Sequence, residues 1–75
     1  MATDYTGHKV KVYDENGTPV IEARYDSADM AYRQAEILYK QGSANVENHG
    51  WITFSCVSVF SCTAGECYPL ADYEA

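Results

Sequence analysis

Apolar and polar residues alternate along residues 8–13, HKVKVY: Val10 and Val12 point one way, Lys9, Lys11 and Tyr13 the other. A period of two is the mark of a half-buried strand. Asn16-Gly17 follows, a strong short hairpin signal that fits a type I′ turn. Residues 18–25, TPVIEARY, then return. With Asn16 and Gly17 as the two loop residues, Glu15 faces Thr18 and the register is set. Val12 then opposes Ile21, Val10 opposes Ala23, Tyr13 opposes Val20, and Lys11 opposes Glu22 as an opposite-charge pair on the outer face. Pro19 has no N–H to donate and suits an edge strand.

The period changes at residues 27–42, SADMAYRQAEILYKQG. Wound at a helical period, Asp29, Arg33, Glu36 and Lys40 fall in one polar stripe, paired i,i+4 with each acid before its base. Met30, Ala31, Tyr32, Gln34, Ala35, Ile37, Leu38 and Tyr39 cover the wider arc. Ser27 suits the N-cap, Asp29 and Lys40 suit the two ends of the dipole, and Gly42 suits the left-handed position after the last turn. This is the only helix the pattern predicts, and so wide an apolar arc needs a sheet to cover.

Beyond it, SANVE (43–47) is a short connection or a short third strand, and Asn48-His49-Gly50 is a turn. Residues 51–60, WITFSCVSVF, form the longest β-prone run. Its alternation changes phase, with Ile52, Phe54 and Cys56 on one side and Val57 and Val59 on the other. That implies a bulge near Cys56 or a strand buried on both faces. A turn at Ala64-Gly65 sets Cys62 opposite Cys67 in a last short strand over residues 67–70, and ADYEA (71–75) reads as an acidic tail. The expectation is a single α+β domain over residues 1–75, with loose ends at 1–7 and 71–75. Its core is an antiparallel sheet of four to five strands in ββαββ order, with the helix on one face. The other face, with Lys9, Lys11, Tyr13, Glu22 and Arg24, has no second layer.

Length limits the core: at 75 residues, stability on the order of 3–5 kcal/mol is expected. No apolar run approaches a membrane span, and MATDYTGHK has neither the basic nor the apolar region of a signal peptide. A bacterial cytoplasm is the expected setting. Three cysteines, Cys56, Cys62 and Cys67, make no disulfide framework and read there as small hydrophobes. A Cys62–Cys67 bridge is geometrically conceivable, though the compartment argues against it.

Charge changes the picture most. The net charge is −6, and all five basic residues precede position 41. From Gln41 onward there are Glu47, Glu66, Asp72 and Glu74 but no Lys or Arg. Such a surface repels nucleic acid and attracts basic proteins, although solubility alone accounts for acidity in many small chains. Candidate catalytic chemistry is sparse. His8, His49 and the cysteines lack the short spacings of zinc sites, and no nucleophile motif, acid–base pair in a cleft or phosphate-cradling glycine loop is present. No enzyme activity, cofactor or metal is expected, nor direct binding of nucleic acid or membrane.

Seven tyrosines and one tryptophan are more suggestive, since these residues favour interfaces. Tyr32 and Tyr39 lie seven apart on the helix flank, and Tyr68 and Tyr73 sit among Glu66, Asp72 and Glu74. With Glu47, these residues make the candidate partner-binding set, suited to an Arg- or Lys-rich partner. In its shortness, acidity and strand–helix layout, and in the stretch NGTPVIEARYDSADMAYRQAEILYKQG, the chain resembles the small phage-encoded anti-CRISPR proteins. The resemblance implies an inhibitor that binds a bacterial CRISPR effector subunit and blocks its nucleic-acid-binding or nuclease-recruiting surface. The alternative is a small structural or assembly protein, homodimeric through a sheet face or a strand edge.

Overall fold

The computed structural model describes residues 5–74. Its elements are β1 (Gly7–Asp14), β2 (Pro19–Tyr25), α1 (Ala28–Gln41), β3 (Ser43–Val46), β4 (Gly50–Thr63) and β5 (Glu66–Glu74). The class is α+β, with one helix and a five-stranded antiparallel sheet. The order is ββαβββ rather than the expected ββαββ, because SANV forms a true strand against residues 50–53.

β4 organises the sheet. One of its edges takes β1, from Cys62 opposite Gly7 to Phe54 opposite Asp14. β5 pairs with residues 56–63 and therefore occupies the other edge. β3 pairs with residues 50–53, beyond the end of β5. The bulge expected near Cys56 is present: Tyr13 faces Cys56 and Asp14 faces Phe54, leaving Ser55 as the extra residue. Ser55 Oγ turns back to donate to the Asp14 carbonyl. The extra residue lets Phe54 and Val57, three apart, both face the core.

The first hairpin keeps its expected register from Val12–Ile21 to His8–Tyr25, but not at its tip. The Asp14 carboxylate accepts from the N–H groups of Asn16 and Thr18, and Gly17 N donates to the Asp14 carbonyl. Only Gly17 takes a positive φ (82°), so the loop is a three-residue turn over 15–17, not the two-residue type I′ turn. Val20 bulges to offset the added loop residue, and Tyr13 faces Pro19 instead of Val20. Both loop residues of the β4–β5 turn, Ala64 (φ 50°) and Gly65 (φ 85°), have positive φ, so the type I′ geometry occurs there.

α1 begins and ends as its caps dictate. Ser27 Oγ accepts from Met30 N at 3.2 Å, and Gly42, at φ 76°, donates its N–H to the Leu38 carbonyl. Glu36 and Lys40 pair at 3.1 Å, whereas no Asp29–Arg33 ion pair forms among the described residues. The buried contact is narrower than the apolar arc suggests. Only Ala31 and Ala35 are fully buried, against Val10, Val12, Phe54, Val57 and Val59. Two alanines bring the helix axis close to the sheet, so the longer side chains of Met30 and Ile37 splay outward and remain exposed.

Two further expectations are corrected. The acidic tail is strand: β5 runs through residues 71–74, with Ala71 and Tyr73 packed on the core side and Asp72 and Glu74 exposed on the other. Cys62 and Cys67 face each other as expected, but as a disulfide rather than as free thiols; Cys56 is free. At the other end, Tyr5 is held in place, its hydroxyl donating to the carbonyls of His8 and Tyr25 and its own carbonyl accepting from Gly65 N. Expectations for residues 1–4 and 75 lie outside the described residues.

Candidate partner-binding surface

The structure separates the candidate residues instead of gathering them into one patch. At the end of β5, Tyr39 reaches from the last helical turns. Its hydroxyl donates to the Glu74 carbonyl at 2.9 Å, and its ring lies 5.8 Å from that of Tyr73. Tyr73 is half-buried and packs on the core, as does Tyr32 on the helix flank. At the start of β5, Tyr68 donates its hydroxyl to Glu66 Oε2 at 3.3 Å, and both residues are exposed. Glu47 stands apart in the β3–β4 turn.

Asp72 lies on the open face, opposite Ser58. Ser58 Oγ donates to Asp72 Oδ1 at 2.6 Å and lies 3.5 Å from Cys56 Sγ. With its proton engaged by the carboxylate, Ser58 accepts from the Cys56 thiol. Ser58 is only 4% exposed, so this chain of polar groups fastens β5 to β4 instead of offering a nucleophile. Tyr13 lies beside Cys56 in the next row. Burial raises its phenol pKa above the ordinary value, and electrostatic repulsion from the neighbouring Cys56, Asp72 and Glu22 raises it further, so Tyr13 stays protonated. Among the described residues, no three His, Cys, Asp or Glu side chains cluster closely enough to hold a metal ion.

The rest of the open face carries the cations. Lys9 and Lys11 approach Glu22 at 3.5 and 3.9 Å. The Tyr5 ring has Arg24 at 4.7 Å and Lys9 at 5.8 Å from its centroid, and Lys11 lies 5.5 Å from the Phe60 ring. The basic spot is thus partly neutralised and partly laid against aromatic rings. An open dent beside it is bounded by Lys11 and residues 19–22.

Sequence reasoning did not include Trp51 and Leu70, which are 69% and 45% exposed. Trp51 precedes the Ser55 bulge and faces Asn45 of β3, so the strand's phase change takes it off the core side. Leu70 is the extra residue of β5 where the register shifts between Val59 and Phe60. The phase change at Cys56 was the only available signal for the first, and nothing local marked the second. Among the described residues, no helix is long and apolar enough to cross a membrane. Comparison with protein families, curated proteins and solved structures finds no match to this chain.

Proposed function

We propose that this chain is a non-catalytic binding protein that sets the carboxylate-rich β3–β5 side of its sheet against a basic surface of a bacterial protein. The observation that carries the reading is the segregation of charge by strand. β3, β4, β5 and their turns hold Glu47, Glu66, Asp72 and Glu74 without a Lys or Arg, while β1, β2 and α1 hold all five cations. Tyr68 and Leu70, both exposed on β5, add apolar area between the acids. Carboxylates beside aromatic rings suit Arg-rich partners through ion pairs and cation–π contacts. The resemblance to anti-CRISPR proteins points to a CRISPR effector subunit as the partner and to its nucleic-acid-binding or nuclease-recruiting surface as the target.

The test is binding of the purified chain to purified bacterial CRISPR effector complexes at low and high salt. Binding that weakens steeply as salt rises, and weakens again in the Glu66→Gln/Asp72→Asn/Glu74→Gln variant, supports the reading. Binding unaffected by the triple substitution removes β5 as the docking surface. No binding to any effector removes the CRISPR assignment.

A further inference from the structure

We infer that the outer edge of β2 is a self-association site, joining two copies of this chain strand to strand about a twofold axis at Ala23. The sheet ends in two unlike edges. β5 is protected by Pro69 within the strand, a register break beside it, and the carboxylates of Glu66, Asp72 and Glu74. These devices block pairing with another strand. On β2 the proline and the register break are confined to the first two residues, Pro19 and the bulged Val20. From Ile21 to Tyr25 the strand pairs regularly with β1 and carries one acid and one base, Glu22 and Arg24, both exposed.

The phase of the backbone decides which groups face outward. Asp14 N donates to the Thr18 carbonyl, so Asp14 directs its backbone toward β2. Alternation along β1 then turns the backbones of Val12, Val10 and His8 toward β2, where they meet Ile21, Ala23 and Tyr25. Glu22 and Arg24 therefore direct their N–H and C=O groups away from the sheet, where β2 has no strand neighbour among the described residues.

A second antiparallel copy of β2 satisfies these groups in one register above others. With Ala23 opposite Ala23, Glu22 of each copy faces Arg24 of the other. These are the two positions whose backbones can exchange hydrogen bonds, and their side chains form two reciprocal ion pairs. On the helix side, Ile21 meets Tyr25 of the second copy, an aromatic–β-branched pair. The neighbouring registers that keep the hydrogen bonds place Glu22 against Glu22 or Arg24 against Arg24. Registers offset by an odd number set outward backbone groups against inward ones. The helix packs chiefly on β4 and β1 and only slightly on β2. Such a short isologous seam, repeated twice by symmetry, gives a reversible dimer with one continuous sheet.

Sedimentation across a concentration series, combined with single-cysteine cross-linking in a Cys56→Ser background, tests the site. Wild type is expected to pass reversibly from monomer to dimer, and Arg24→Glu, which sets like charges together at both symmetric pairs, to weaken dimerisation roughly tenfold. Mild oxidation should give covalent dimer for Ala23→Cys, whose Cα atoms would lie about 4.5 Å apart, within reach of a disulfide. Cross-linking of Glu22→Cys or Arg24→Cys in its place would overturn the register. A wild-type chain that stays monomeric at every concentration, or dimerisation indifferent to Arg24→Glu, would overturn the site.

Discussion

The hydroxyl of Tyr39 donates to the backbone carbonyl of Glu74 at 2.9 Å, tying the last turns of the helix to the end of the last strand. The bond spans 35 residues and is exposed, so its worth is local. Tyr39→Phe keeps the ring against Tyr73 and removes only the hydrogen bond. The expected loss of global stability is at most about 1 kcal/mol. Amide exchange at residues 72–74 should accelerate more than exchange elsewhere; uniform acceleration would show that the bond is not a local clamp.

The Cys62–Cys67 disulfide closes a loop of sequence separation 5 across the β4–β5 hairpin. Loop-closure entropy for so short a loop stabilises by about 2 kcal/mol. A reducing agent should lower the urea midpoint by a corresponding amount with little change in slope, since the surface exposed on unfolding is the same. An unchanged midpoint would mean that the hairpin's ladder already holds these residues together in the unfolded reference.

Ala64 occupies a left-handed position at φ 50° in a turn whose geometry favours Asn-Gly. A Cβ at positive φ costs about 1 kcal/mol, and Asn tolerates the conformation better. Ala64→Asn should therefore raise the melting temperature by a few degrees in a domain of this size. A fall would indicate that contacts of the Ala64 methyl outweigh the backbone strain.

Tyr13 supplies the expected alkaline response. Its folded pKa is raised, so the folded state holds the phenolic proton more tightly than the unfolded chain does. The resulting stabilisation is complete below the unfolded pKa of about 10 and is lost as pH rises through the folded value. Stability should fall above that point in wild type and fall less in Tyr13→Phe, as read by denaturant melts along a pH series. Identical alkaline profiles would exclude Tyr13 as the titrating group.

What could be read along the chain was what neighbouring residues decide. The Val10–Ala23 and Val12–Ile21 pairings follow from alternation, the helix ends from Ser27 and Gly42, and the bulge from the phase change at Cys56. The Asn16-Gly17 turn misled because the Asp14 carboxylate captures two N–H groups and imposes another loop, a competition invisible to a dipeptide rule. Residues 71–74 read as tail because Asp72 and Glu74 dominate them, although Ala71 and Tyr73 alternate with those acids as an edge strand requires. The candidate surface was less legible still. Tyr39 meets Tyr73, and Ser58 meets Asp72, only because a helix and a hairpin bring distant residues together, and no local pattern encodes that.

The central position of β4 has a consequence for how the chain folds. β1 meets its second neighbour, β4, only when residues 54–62 arrive, so Gly7 must find Cys62 across nearly the whole chain. During synthesis, the first hairpin and the helix emerge with nothing to pack against except each other. The sheet can close only after β4 is released, which makes folding late and slow for so small a domain. In that interval β2, with its outward Glu22 and Arg24 backbone, and β1, with its β4-facing edge unpaired, are the segments most exposed to pairing with another nascent copy.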